Sequence, residues 1–381
     1  MKTFDLIATS TFGLEAIVRR EVEDIGYEIK EVSDGKITYT TDVEGIILSN
    51  LWLRSADRVL LKMGEFKATT FEELFNQTNE LPWEKWITAD AKFTVTGKSV
   101  KSGLFSVSDC QAIVKKSIVK RLSAHYGIDW FPETGPEYTV QVSILKDIAT
   151  LTIDTTGSVG LHKRGYRTRQ GGAPLKETLA AALIQISYWN KDRVLYDPFC
   201  GSGTIPIEAA MIARNIAPGL NRKFACSDWP QIGDQLWKEL RQEAYDSIDL
   251  ETPVNIHASD IDRHAVTVAQ ENAAAAGVDD CIQFFVKSIH KAELPRLPYG
   301  VIISNPPYGE RLSDEAQVEG LHKSLAQMLE TDKTWSLYVI TSASSLEKDL
   351  GKRANKTRKL FNGRIAVNFY QYFGPRPPRQ N

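Results

Sequence analysis

Asn305-Pro306-Pro307-Tyr308 follows directly on the apolar run VIIS. Two consecutive prolines carry no N–H, so the tetrapeptide offers carbonyl and carboxamide acceptors with an aromatic plane beside them. That set suits a flat base bearing an exocyclic amine, which has two N–H donors and a ring to stack. Such an amine is a poor nucleophile because its lone pair is delocalised into the ring. Accepting its N–H groups at the Asn305 side-chain oxygen and the Pro306 carbonyl favours a tetrahedral nitrogen. The same acceptors stabilise the positive charge that develops there. Tyr308 would stack on the base, worth about 1–3 kcal/mol. A rigid loop is the plainer alternative for this motif alone.

A second stretch, Asp197-Pro198-Phe199-Cys200-Gly201-Ser202-Gly203-Thr204, follows an apolar strand and opens a helix. Glycines let backbone approach a ligand, and a helix N-terminus attracts negative charge. Neither the P-loop pattern G-x-x-x-x-G-K-[ST] nor the dinucleotide pattern G-x-G-x-x-G is present. Asp197 would repel a pyrophosphate but suits an ammonium group, such as the amino-acid end of S-adenosylmethionine. Asp260, in HASDID, stands where a carboxylate would accept the two hydroxyls of a ribose. A bare turn at the glycines and helix capping at Asp260 and Asp262 remain open alternatives. Cys200 is a candidate nucleophile only if a covalent intermediate is needed, and the amine route needs none.

These residues require a sheet that brings several strand ends to one crevice. Beyond Gly172 the chain alternates regularly: helix 175–187, strand 194–196, helix from Thr204, strand 255–259, helix 263–276, strands 282–287 and 300–304, helix 315–329, strand 336–341. That rhythm predicts a doubly wound parallel sheet. The Asn362-Gly363 pair between KTRKLF and RIAVNFYQYF predicts a type I′ hairpin finishing it. The long connection between Gly203 and Asp260, including a helix near 234–247, reads as an insertion that leaves the strand order unchanged. Before Gly157 the pattern is α+β, with strands at 4–9, 36–41, 58–65, 92–96, 138–145 and 149–153 and a helix over 107–124.

Lys+Arg is 46 against Asp+Glu 48, which by itself argues against a polyanionic partner. The basic residues are clustered, however. Lys98, Lys101, Lys115, Lys116, Lys120 and Arg121 face one acid, Asp109, and Lys163, Arg164, Arg167 and Arg169 face none. The segment from Gly351 to Asn381 is also basic and free of acids. A solvated face would look the same, but three such blocks in a slightly acidic chain keep a polyanion open. Four dispersed cysteines without C-x-x-C spacing argue against zinc and a disulfide framework, so no metal is expected. The lack of a signal-peptide pattern and of a long apolar run points to the cytoplasm.

The ordered set DPFCGSGT, ASDID and NPPYGERL resembles class I S-adenosylmethionine-dependent amino-methyltransferases. The wider context resembles the THUMP-containing bacterial ribosomal-RNA N2-guanine methyltransferases. It comprises GLHKRGYRTRQGGAPLKETLAAALI, IEAAMIARNIAPGL, STFGLEAIVRREVEDIGY and LWLRSADRVL. The resemblance implies an N-terminal ferredoxin-like segment over 1–55, a THUMP RNA-binding domain over 45–155, and a methyltransferase domain over 160–381. That last domain would be a Rossmann-like sheet of seven strands ending in an antiparallel hairpin. Carried over by motif, Asp197, Gly201, Gly203 and Thr204 would hold the methionine part of the cofactor, with Lys176-Glu177-Thr178 near its carboxylate. Asp260 would hold its ribose, and Ile261 would be a further cofactor contact. In FFVKSIH only Ser288 is a polar candidate toward the adenine, where relatives often carry an acid. Asn305, Pro306 and Tyr308 would hold a guanine. Lys98, Lys101, Lys115, Lys116, Lys120, Arg164 and Arg167 would track RNA phosphates.

The resulting expectation is methyl transfer from S-adenosylmethionine to guanine N2 in structured RNA, 23S ribosomal RNA first and transfer RNA second. N6-adenine methylation of RNA or DNA uses the same acceptor loop. A non-catalytic RNA-binding or ribosome-assembly protein is the alternative of another class. No membrane and no obligate protein partner are expected.

Overall fold

The computed structural model describes residues 3–167, 175–308 and 315–378. The early elements are β1 (Phe4–Thr9), α1 (Glu15–Asp24), β2 (Ile29–Ser33), β3 (Lys36–Thr41), α2 (Val43–Trp52), β4 (Arg58–Lys67), α3 (Phe71–Glu80), β5 (Lys92–Val100), α4 (Val107–Tyr126), β6 (Glu137–Leu145) and β7 (Ile148–Asp154). The later ones are α5 (Glu177–Ile186), β8 (Leu195–Asp197), α6 (Thr204–Ala213), α7 (Asp234–Asp246), β9 (Ile256–Asp260), α8 (Arg263–Ala276), β10 (Ile282–Val286), β11 (Val301–Ser304), α9 (Glu315–Thr331), β12 (Ser336–Thr341), α10 (Leu346–Asp349), β13 (Lys356–Asn362) and β14 (Ile365–Tyr372). They form two compact units. One holds the chain up to Ser10, Val18–Leu161 and Arg222–Glu243, and the other holds Thr11–Ile17, His162–Asn221 and Ala244 onward.

The first unit is built on a sheet of order β2-β3-β1-β4-β7-β6-β5, antiparallel except for the β5–β6 pair. Period-two alternation makes these strands. Along β6, Tyr138, Val140, Val142 and Ile144 point into the core while their neighbours face out. α4 stops at Gly127, whose φ of +67° is the left-handed cap that ends many helices. α2 has no sequence-level expectation behind it, and the reason is physical. Ile46, Ile47, Ser49, Asn50 and Leu51 are all buried, so the helix has no polar stripe for periodicity to find. Residues Phe224, Cys226, Trp229, Ile232, Trp237 and Leu240 also join this core. The middle of the insertion, Arg222–Glu243, is therefore part of the first unit, while its two ends belong to the second.

The second unit carries the order β10-β9-β8-β11-β12-β14-β13. β10, β9, β8, β11 and β12 run parallel, while β14 is antiparallel to both β12 and β13. β8 and β9 remain neighbours despite the insertion. This is the doubly wound sheet with a terminal hairpin, in which parallel strands buried on both faces read as continuous apolar runs. Ser336–Thr341 is buried at every position. The hairpin turn corrects the type I′ expectation. Asn362 pairs with Ile365, so the two loop residues are Gly363 and Arg364, and only Gly363 has positive φ, at +63°. Glycine first and an ordinary φ second is the type II′ pattern. Asn362 is thus a strand residue, not a turn residue. Among the described residues no helix is long and apolar enough to cross a membrane.

Candidate active site

The carboxyl ends of β8, β9 and β11 surround a cavity of about 460 Å³ in the second unit. That volume falls in the ordinary range for small-molecule sites. Its walls include Asp197, Gly201, Thr204, Asp260, Ile261, Ser288, Asn305, Pro306 and Tyr308. A doubly wound sheet opens its crevice at this edge, where parallel strands end and the loops diverge.

Asp197 is the last residue of β8 and is 1% exposed. Its Oδ1 accepts from the Phe199 amide at 3.1 Å and from the Ser304 hydroxyl at 2.8 Å. Ser304 ends β11, so this carboxylate ties the two strand tips together just ahead of Asn305. Burial pushes its pKa up to about 7, against the two hydrogen bonds and with a smaller push from Asp260. Asp260, at the end of β9, accepts from the Gly201 amide and the Asp262 amide, each at 3.0 Å. A carboxylate has about four lone-pair positions, which leaves capacity for two ribose hydroxyls. Gly201 has φ +51° and open space where a Cβ would stand, so the loop presents bare backbone to the cavity. Two carboxylates, bare backbone and the 73%-exposed Ile261 beside them fit a ligand with an ammonium, a ribose and a flat ring.

Cys200 is buried, and desolvation together with Asp197 and Asp260 raises its thiol well above the ordinary value. A thiol held protonated in that way is no nucleophile. On the opposite wall the Tyr308 hydroxyl donates to Asn305 Oδ1 at 2.7 Å. The Asn305 oxygen therefore already accepts one hydrogen bond. Burial pushes the Tyr308 phenol up, and the polar Asn362 carboxamide opposes that shift.

Two expected cofactor residues do not line the cavity. Gly203 has φ +84°, and a Cβ there would meet Ala269 Cβ at 3.0 Å, so its task is the close approach of α6 to α8. Thr178 is buried in the first turn of α5, and the cavity is reached instead by Leu175. Ser288 does line it, next to His290, whose Nδ1 lies 2.7 Å from Ser324 Oγ. Phe199, His290, Gln317, Leu321 and Asn362 complete the walls without having been expected. Gln317 and Leu321 are four apart on α9, which places them on one helical face.

The basic residues sort by burial. Lys98 and Lys101 are exposed at and just beyond the end of β5, and Lys115, Lys116 and Lys120 are exposed on α4. Lys115 and Lys120 each extend over a phenylalanine ring, Phe93 and Phe75, at 5.7 and 5.5 Å. Arg164 and Arg167 require correction. Arg164 is 4% exposed and grips Glu208 through two 3.2 Å bonds, with the Tyr166 hydroxyl also on Glu208 at 3.1 Å. Arg167 pairs with Glu177 at 3.3 Å and donates to the Leu175 carbonyl and to Thr204 Oγ1. Both guanidiniums are engaged inside the unit, because a charge removed from water must find such partners. Arg169 lies outside the described residues. Among the described residues no group of His, Cys, Asp or Glu could hold a metal ion.

Three family models match the chain: the ferredoxin-like domain named for RlmL over 5–60, the THUMP domain over 68–154, and the RMKL-like methyltransferase domain over 164–371. YpsC of Bacillus subtilis strain 168, which carries a provisional name as an RNA methyltransferase, is 51% identical over 383 residues, covering 100% of this chain and 99% of its own. A Listeria monocytogenes crystal structure, described as a predicted N6-adenine-specific DNA methylase, is 50% identical with a TM-score of 0.94, covering 98% of this chain and 97% of that one. SMU.472, described as a methyltransferase by inference and crystallised with S-adenosylhomocysteine, is 42% identical with a TM-score of 0.93, covering 99% and 100%. Thermus thermophilus TrmN, at 20% identity and TM-score 0.71 over 98% and 100% of the two chains, shares the fold.

Proposed function

This chain belongs to the RMKL-like methyltransferase family and uses S-adenosylmethionine as methyl donor, and we propose that it methylates the exocyclic N2 amine of a guanine in structured RNA, 23S ribosomal RNA first. The observation that carries the proposal is the tip Asn305–Pro306, which offers a carboxamide oxygen and a backbone carbonyl as acceptors on the wall of the cavity that also holds Asp197 and Asp260. The THUMP match over 68–154 supports RNA as the substrate class, and the motif context supports guanine.

When bound, S-adenosylmethionine supplies an electrophilic methyl carbon. Asp197 would receive its ammonium and Asp260 its ribose hydroxyls, and the bare Gly201 backbone would let it approach closely. Ile261, on the cavity wall, would add an apolar contact to it, and Ser288 would be the polar contact toward its adenine. Asn305 Oδ1 and the Pro306 carbonyl accept the N–H groups of the base, turn its lone pair toward the reacting carbon, and stabilise the cation that develops on nitrogen. Tyr308 stacks on the base, which must leave its own stack to enter. The methylated ammonium is strongly acidic, so no dedicated base is required. Lys98, Lys101, Lys115, Lys116 and Lys120 supply phosphate contacts.

Incubation of RNA with the protein and isotope-labelled S-adenosylmethionine, followed by mass spectrometry of nucleosides, tests this reading. N2-methylguanosine is the expected product. The description of the Listeria relative favours a second reading, N6-adenine methylation, through the same acceptors. N6-methyladenine without N2-methylguanine would establish it and overturn the first.

A further inference from the structure

Arg167, a phosphate contact by its sequence context, has a side chain only 8% exposed. One nitrogen of its guanidinium, Nη2, carries two N–H groups, and both are used. One goes to the Leu175 carbonyl at 2.7 Å and the other to the Thr204 hydroxyl oxygen. Leu175 precedes α5 and Thr204 opens α6, and both line the cavity. A guanidinium only donates, so Thr204 Oγ1 must accept, and its own single proton is left over. Among the described residues nothing accepts that proton. Thr204 is 5% exposed, so an unmade hydrogen bond there is costly, and an acceptor in the cavity would make it. Gly203, ahead of α6, supplies no side-chain cap, so the first amides of the helix call for an anion as well.

We propose that Arg167 is a positioning residue for the methyl donor: by donating to the Thr204 hydroxyl oxygen, it leaves that hydroxyl's proton for the carboxylate of bound S-adenosylmethionine. The inference rests on the reading in which Asp197 takes the ammonium of the same amino-acid group. The loop after β8 carries Asp197 at one end and Thr204 at the other, one for each charge of that group. Without Arg167, the hydroxyl can turn a lone pair toward the carboxylate, which is repulsive. With it, the hydroxyl is a donor of fixed direction, strengthened by the cation behind it. The same guanidinium clips the chain ahead of α5 to the head of α6, and Glu177 holds it from the Nε side at 3.3 Å.

Calorimetric binding of S-adenosylmethionine and of its decarboxylated form, which keeps the ammonium and lacks the carboxylate, tests this without RNA or turnover. In Thr204→Val the preference for the carboxylated ligand should fall about tenfold to a hundredfold, the loss of a hydrogen bond to a charged group. Affinity for the decarboxylated form should stay within about twofold. Thr204→Ser keeps the hydroxyl and should keep the preference. Arg167→Met, made together with Glu177→Gln so that no buried carboxylate is left unpaired, should lose the preference to the same extent. Glu177→Gln alone should retain it. Adding Thr204→Val to that pair should change the preference by less than about twofold, because the two residues act as one relay. Losses that multiply would show Arg167 acting through its own charge and overturn the proposal, as would an unchanged preference in Thr204→Val. Equal weakening of both ligands in the arginine variant marks a structural role and overturns it too. Asp197→Asn should weaken both ligands alike, so a failure of the ammonium reading shows in that variant alone.

Discussion

Asn305 and Asp197 sit on neighbouring strand ends, yet they answer different measurements. Replacing Asn305 by Ala removes an acceptor that matters as charge develops on the amine. Methyl transfer should fall by at least about a hundredfold while RNA affinity is nearly unchanged, as filter binding beside turnover would show. Asp197 is a question of protons. Its folded pKa, about 7, lies above that of an ordinary carboxylate, chiefly through burial. The native state therefore retains a proton that the unfolded chain releases. This site's contribution to stability is fully present below the ordinary carboxylate range and is lost as pH rises toward about 7. An ammonium beside Asp197 favours the ionised form and expels that proton. Calorimetric titration with S-adenosylhomocysteine near pH 6.5, in buffers of different ionisation enthalpy, should register proton release, and Asp197→Asn should abolish it.

At the scale of elements, the two glycines of one loop do different work. A side chain at Gly203 meets both an adverse φ of +84° and Ala269 at 3.0 Å. Gly203→Ala should cost about 2–4 kcal/mol in urea denaturation. Gly201→Ala faces only a φ of +51° in open space and should cost about 1 kcal/mol, expressed mainly as weaker cofactor binding. Equal losses in stability would contradict this division. The hairpin shows how one residue of register matters. Asn362-Gly363 is a strong turn signal, and a turn does form there. The pairing of Asn362 with Ile365 shifts the turn by one position and makes a cavity wall out of an expected turn residue.

Over the whole molecule, charge separates by where the fold puts it. Lys115 and Lys116 are exposed on α4. Their double replacement by Ala should weaken RNA binding across sequences and reduce the slope of log K against log salt by about 2. An unaltered slope would remove α4 from the interface. Arg164→Ala should leave that slope alone and cost about 3–5 kcal/mol of stability, because Glu208 is left as an uncompensated buried charge.

Local chemistry was readable in the chain. A double proline lacks N–H groups in any fold, parallel strands buried on both faces must be apolar runs, and alternation with helices implies a parallel sheet. The acceptor tip, the Asp197 and Asp260 strand ends and the doubly wound order with its terminal hairpin all follow from such rules. Burial and partnership do not, because they depend on residues far away in sequence. An arginine reads the same facing solvent or gripping Glu208, and α2, buried on most of its surface with Ser49 and Asn50 among the buried residues, offers no period to read. The Tyr308 bond to Asn305 and the arrival of Asn362 on the same cavity wall needed the β13–β14 register and the pairing of β14 with β12, which only the tertiary structure decides.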